Sequence, residues 1–181
     1  MKFIETSLKG AYVIDVEYLK DERGGFSRLF CKNEFEKINH KGDIVQINHS
    51  VNKYKGTIRG FHYQSSPKSE IKIIKCIKGE VYDVIIDLRK NSPTFLKCHG
   101  EILSEDNQKM MYVPKGFAHG FQTMKDNTEL IYFHTEFYDK DKEQGICYND
   151  DLIKVSWPLK ITNISEKDKN RSLLDKTFRG I

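Results

Sequence analysis

No apolar run in this 181-residue chain approaches the roughly 18 residues that a membrane helix requires. Its first residues, MKFIETSLKG, lack the apolar core of an export signal, so the expected location is cytoplasmic. Cysteine is sparse, and Cys31, Cys76, Cys98 and Cys147 stand far apart with no CxxC pair. That spacing excludes the usual zinc and thiol-redox motifs and leaves free thiols in a reducing compartment. No internal repeat, low-complexity tract or linker interrupts the chain, and its length suits one domain over residues 1–181 with a core of ordinary size. A strong charge of one sign is also missing. The net charge of +4 comes from lysines interleaved with acids. This argues against nucleic acid as a partner and fits a local basic site for a phosphorylated small molecule.

What the chain does have is β-type sequence. VIDVEYLKDERGGFSRLF reads as a strand, an Asp-Glu-Arg-Gly-Gly turn and a second strand. From Ile44 to Tyr138 the runs IVQINHSV, TIRGFHYQ, IKIIKCI, EVYDVIIDL, KCHGEIL, KMMYVP, HGFQTM and ELIYFHTEFY follow one another, most of them separated by Gly, Pro, Asn or Asp. Many short strands at near-regular spacing predict an all-β sandwich or jelly-roll barrel with short peripheral helices. One such helix is expected over Asn33 to Asn39, capped by Asn33, and another in the polar tail from Ser165 to Asp175. Period-two alternation puts Gln46, Asn48 and Ser50 on one strand face. It puts Tyr132, His134, Glu136 and Tyr138 on another, and Asp83 with Val81 and Ile85. Polar groups sharing a face with apolar ones suit a barrel that holds a polar ligand, although a solvent-exposed face gives the same pattern.

GTIRGFHYQ, Gly56 to Gln64, is the densest cluster of chemically capable residues. Gly56 and His62 match half of a metal-cupin motif, but Gln64 stands where its second histidine belongs. Pro114, Gly116 and His119 match the later half. Two imidazoles fall short of the roughly three protein ligands of a catalytic metal, and Lys72 lies near the place of the acidic ligand. No metal and no other cofactor is expected. A histidine kept in such a barrel without a metal points to proton transfer, although His62 taken alone reads better as a satisfied core histidine.

RGGFSRLF, GTIRGFHYQ, KIIKCIKGEVYDVIIDLRKNSPTF, VPKGFAHGFQT, LIYFHTEFYD and ISEKD together resemble the dTDP-4-dehydrorhamnose 3,5-epimerases, the RmlC-like branch of the cupins. The resemblance runs in order from about Asp21 to Asp168. It implies a jelly-roll homodimer acting on a nucleotide-diphospho sugar, in precursor synthesis for a surface polysaccharide such as O-antigen or capsule. It makes His62 the base that removes a proton α to a C4 ketone and Asp168 the carboxylate that orients it. Lys72 is then the cation near the developing oxyanion and Tyr132 the acid on the far face. Tyr138 packs near the sugar, and Asp83 and His119 fall at site positions or in a structural network around His62. Arg59 matches a pyrophosphate anchor, and Arg23 one that reaches over from the dimer partner. Gln46 and Asn48 line the nucleotide pocket, and Phe26 stacks on the base.

At one position the chain departs from the pattern. Arg28 stands where the rhamnose-pathway enzymes carry a glutamate that accepts from thymine. Guanidinium only donates, which suits an acceptor edge such as guanine O6 and N7. The base therefore stays open between thymine and guanine, and the sugar between hexose and heptose. Inversion at C3, at C5 or at both is also open. The alternatives in other classes are a ketoisomerase, a non-catalytic sugar-nucleotide-binding cupin and a metal dioxygenase.

Overall fold

Between Gln46 and His134 lie short runs rich in β-branched and aromatic residues, some alternating with polar ones and some apolar throughout, and each becomes a strand. The computed structural model describes residues 1–181. It begins with β1 (Lys2–Glu5), β2 (Tyr12–Asp15), β3 (Tyr18–Asp21) and β4 (Gly24–Ser27), then a one-turn helix, α1 (Lys32–Phe35). The expected strands follow as β5 (Gln46–Asn52), β6 (Thr57–Gln64), β7 (Lys72–Lys78) and β8 (Glu80–Asp87), then β9 (Cys98–Ser104), β10 (Lys109–Val113), β11 (Phe117–Thr123) and β12 (Thr128–His134). The chain closes with β13 (Glu143–Gly145), β14 (Asn163–Ile164) and α2 (Glu166–Lys169). No helix is long and apolar enough to cross a membrane.

Two sheets face each other as a jelly roll. One has the order β1-β2-β10-β7-β12-β5 and the other β13-β6-β11-β8-β9, with β14 added parallel to β6. Their inner faces share one apolar core, in which Val13, Ile74, Met111 and Leu130 meet Val81, Ile85, Leu103 and Phe121. The outer face of the first sheet is covered by α1, whose Phe35 is fully buried against Ile14, Ile73 and Met110. Outside the second sheet, Phe61, Val84 and Ile86 pack with Trp157 and Ile153. The apolar residues therefore fill one end of the interior. The other end, bounded by β5, β6 and β12, receives polar side chains.

Local details differ from the sequence expectation. The β3–β4 turn is two residues, Glu22 and Arg23, because Asp21 pairs with Gly24 and its carboxylate accepts from the Arg23 N–H at 2.8 Å. This is an aspartate turn that needs no further loop residues. Helix α1 is capped at Cys31 without a side-chain bond, and Asn33 lies inside it. It tightens into a 3-10 turn over Glu36–Ile38 and ends at Asn39, with φ 53. Of the tail from Ser165 to Asp175, only Glu166–Lys169 is helical. Strand β12 ends at His134, so Glu136 and Tyr138 lie on the following loop and not on the Tyr132 face.

β6 and β11 approach closely at Gly60. A Cβ there would lie 2.6 Å from Gly120 Cα and 2.8 Å from the His119 carbonyl oxygen, and Gly60 has φ +116. Gly60→Ala is expected to destabilise the fold by about 2–4 kcal/mol from overpacking and left-handed strain. Guanidinium denaturation checks this, and unchanged stability would contradict the close approach.

Candidate active site

Arg59 and His62 are three residues apart, a spacing that puts side chains on opposite faces of a regular strand. Here both reach the interior. His119 pairs with His62 and Phe121 with Arg59, and the register shifts between those two pairs. The irregularity turns Phe61 outward to Trp157 and brings Arg59 and His62 to one cavity of about 510 Å³. That cavity is also lined by Asn48, Lys72, His119, Tyr132 and His134. A smaller lobe of about 190 Å³ shares His62, Lys72, Asn48 and His134 and adds Gln46, Glu70, Tyr138 and Glu143.

The carboxylate behind His62 arrives from the far end of the chain. β14 runs parallel along β6, pairing Asn163 with Thr57 and Ile164 with Ile58. Ser165 then caps α2, its hydroxyl accepting from the Asp168 N–H at 3.1 Å. This sets the Asp168 carboxylate 2.6 Å from His62 Nε2, with the Gly60 N–H donating to its other oxygen at 3.3 Å. The capping role and the pairing with His62 are therefore compatible, because the backbone N–H is capped while the carboxylate is spent on the imidazole. Burial pushes Asp168 up, but the hydrogen bond and charge of His62 outweigh it and hold it below the usual carboxylate range. With Nε2 so engaged, Nδ1 is the imidazole nitrogen left for a substrate.

Two further histidines are paired with carboxylates. His119 Nε2 lies 2.7 Å from Asp83 Oδ1, both nearly inaccessible, and Asp83 Oδ2 is buried without a partner. His134 Nδ1 lies 2.6 Å from Glu70 Oε2, whose other oxygen is 3.1 Å from Lys72 Nζ. Tyr132 lies between them, edge-on to His119 at 6.2 Å, stacked on His134 at 6.1 Å and 3.3 Å from the Ser50 hydroxyl. Burial raises its phenol well above the ordinary tyrosine range, with Asp83 adding to the shift. Tyr132 therefore keeps its proton at neutral pH. Arg59 Nε donates to Asn52 Oδ1 at 2.7 Å, which fixes the guanidinium at the cavity mouth.

Gln64 donates to the Lys68 and Phe137 carbonyls and accepts from the Asp139 N–H at 2.7 Å. Its amide is spent on the loop that carries Tyr138. Tyr138 is exposed and donates to Glu143 at 2.7 Å, while its N–H donates to Gln46. No group of three His, Cys, Asp or Glu side chains is arranged to hold a metal ion.

Most of the expected residues meet at this cavity: His62, Lys72, Asn48, Arg59, His119 and Tyr132 line it directly, with Asp83 and Asp168 behind two of its histidines. Gln46 and Tyr138 line the smaller lobe. Arg23, Phe26 and Arg28 do not reach it within one chain. They lie on the β3–β4 hairpin, where Arg23 pairs with Asp21, Arg28 with Glu34 at 3.0 Å, and Phe26 is 68% exposed. Sequence reading missed Glu70 and Glu143. The parity of Glu70 with Lys72, Ile74 and Cys76 would have found the first. Glu143, in the polar run DKDKEQG, carries no such signal.

The profile of dTDP-4-dehydrorhamnose 3,5-epimerase matches residues 5–176. The chain belongs to the dTDP-4-dehydrorhamnose 3,5-epimerase family. It is accordingly an isomerase of the sugar-epimerase type with the cupin jelly-roll fold. The Shigella flexneri enzyme of that name is 40% identical over 171 residues, 94% of each chain. The Bacillus anthracis dTDP-4-dehydrorhamnose 3,5-epimerase, solved with TDP and pyrophosphate bound, superposes with a TM-score of 0.92 at 40% identity, over 96% of this chain and 99% of that one. The Legionella pneumophila dTDP-6-deoxy-D-glucose-3,5-epimerase, solved in complex with dTDP-4-keto-L-rhamnose, gives 0.91 at 35% identity over 95% and 92%.

Because the folded Asp168 carboxyl lies below its unfolded value, its contribution to stability is present above the unfolded pKa. It is lost as pH falls through the folded pKa, in the range under about pH 4. Asp168→Asn is expected to flatten that part of the stability profile. Parallel profiles for the two proteins in acid denaturation would contradict the pairing.

Proposed function

We propose that this chain is a dTDP-sugar 3,5-epimerase acting on a dTDP-4-keto-6-deoxy hexose. The observation that carries the reading is the His62–Asp168 pair at 2.6 Å, in one cavity with Lys72 and Tyr132. The protons at C3 and C5 are both α to the C4 ketone. His62 takes one, the C–H electron pair moves into the ring as the enolate forms, and negative charge develops on the C4 oxygen. The Lys72 ammonium stabilises that charge, a contribution that such groups make at several kcal/mol in dry sites. Tyr132 returns a proton to the opposite face, which inverts the centre. Exchange with solvent restores the imidazole and the phenol before the second centre reacts.

Arg59 anchors the diphosphate, and Gln46 and Asn48 hold the nucleotide side of the substrate. The β3–β4 hairpin belongs to the same reading. Its strands are exposed on both faces, with Leu19 at 59% and Phe26 at 68%, and isolated two-stranded hairpins are marginal in water. In a homodimer it would cover the partner's cavity, bringing Arg23 to the phosphates and Phe26 to the base. The guanine alternative rests on Arg28. Arg28 Nη1 donates to Glu34 Oε1 at 3.0 Å, and the Met1 ammonium holds the other Glu34 oxygen at 2.9 Å. A guanidinium already engaged by a carboxylate is less available to a guanine edge, which supports thymine.

Incubation with a dTDP-4-keto-6-deoxy hexose in D2O, followed by NMR, is expected to show deuterium at both C3 and C5. Exchange at one centre alone would make this a single-centre epimerase, and exchange at neither would overturn the reading. His62→Asn is expected to slow both exchanges by about 10³-fold. In calorimetry dTDP is expected to bind at least about tenfold more tightly than GDP. Equal binding would show that Arg28 does not select the base, and tighter binding of GDP would return the nucleotide to guanine.

A further inference from the structure

A run of hydrogen bonds closed by an ion pair leads from the main chain to the Lys72 ammonium. The Tyr138 N–H donates to Gln46 Oε1 at 3.0 Å, and Gln46 Nε2 donates to Asn48 Oδ1 at 3.1 Å. Asn48 Nδ2 lies 3.3 Å from His134 Nε2, and His134 Nδ1 lies 2.6 Å from Glu70 Oε2. Glu70 Oε1 is 3.1 Å from Lys72 Nζ. The sheet register builds this line, since His134 stands between Lys72 on β7 and Gln46 on β5.

An ionised carboxylate only accepts, so His134 Nδ1 carries the proton and Nε2 accepts from Asn48. Every link then has one donor and one acceptor. A second proton on the imidazole would set Nε2–H against the Asn48 Nδ2–H. Asn48 and then Gln46 would have to turn their amides, and Gln46 would face the Tyr138 N–H with a donor. The Lys72 and Glu70 side chains are only 13% and 8% exposed. An ammonium on such a wall without a counter-charge is costly, and the carboxylate offsets that cost while fixing where the ammonium sits.

We propose that Glu70 and His134 are positioning residues for the epimerisation: Glu70 holds the Lys72 ammonium in place, and His134 holds the Asn48 amide, as one connected unit. The inference rests on the epimerase reading above. Glu70 supports it, because burial pushes that carboxyl up while His134 and Lys72 more than reverse the shift. The titratable groups sharing this lobe are Lys72 from β7 and Glu70 just before it, His62 and Tyr63 from β6, His134 at the end of β12, Tyr138 after it and Glu143 from β13.

The test compares kcat and KM of Glu70→Gln, His134→Phe and His134→Asn with the unaltered enzyme, alongside thermal unfolding and a carbon NMR titration of the Glu70 carboxyl. Glu70→Gln is expected to lower kcat at least about tenfold with KM within about twofold, because Lys72 acts on charge that exists only in the transition state. His134→Phe is expected to raise KM as well and to move the Glu70 titration upward. His134→Asn, whose amide can donate to Glu70 as Nδ1 does, is expected to recover part of both losses. The proposal is overturned if Glu70→Gln and His134→Phe keep kcat and KM within about twofold of the unaltered enzyme, or if the Glu70 titration is unmoved in His134→Phe. Absence of C3 and C5 exchange in the unaltered enzyme would instead overturn the epimerase reading, and the titration would still decide whether His134 and Glu70 are coupled.

Discussion

The bond between Asp168 and His62 spans 106 residues of sequence, and the cavity is organised around it. It forms only when the C-terminal segment returns along β6 as β14, when Ser165 caps α2, and when β6 shifts register against β11 so that His62 turns inward. Each step is an ordinary piece of backbone chemistry: a parallel ladder, a helix cap, a β irregularity. Together they deliver a buried carboxylate to one nitrogen of an imidazole and leave the other nitrogen to the cavity. A carboxylate behind an imidazole fixes its tautomer and stabilises the imidazolium that forms when it takes a proton.

The division of the interior explains how one barrel provides both stability and chemistry. At the apolar end, Val, Ile, Leu and Phe from both sheets make a continuous core. At the other end three histidines are each held by a carboxylate, so the imidazoles are oriented by the protein and do not depend on a ligand. Arg59 and Lys72 supply positive charge to the same space. Such a cavity suits an anionic substrate whose reaction builds further negative charge.

Much of this was legible in the sequence. The β-rich runs became β5 to β12, and parity put Gln46 with Asn48, and Asp83 with Val81 and Ile85, on shared faces that the structure turns toward the interior, as it does Tyr132. Parity alone would have put Arg59 and His62 on opposite faces, because a register shift is not visible in residue spacing. It also failed after His134, where Thr135 bonds the Ile71 backbone and the chain leaves the sheet. The Asn33 cap was misplaced because α1 is a single turn held by burial of Phe35, and a one-turn helix gives capping propensity little weight. Asp168 was found through the family resemblance alone, since no local pattern joins residues so far apart. Arg23, Phe26 and Arg28 lie on a hairpin whose partner surface is not within one chain.

The claim that His62 and Asp168 act as one base is tested most directly by a double-mutant cycle on C3 and C5 exchange rates. If the two residues form a single unit, Asp168→Asn alone costs about 10²–10⁴-fold, and adding it to His62→Asn costs almost nothing more. Losses that multiply, with the double variant slower than His62→Asn by the full Asp168→Asn factor, would show that Asp168 acts independently of His62 and would contradict the account.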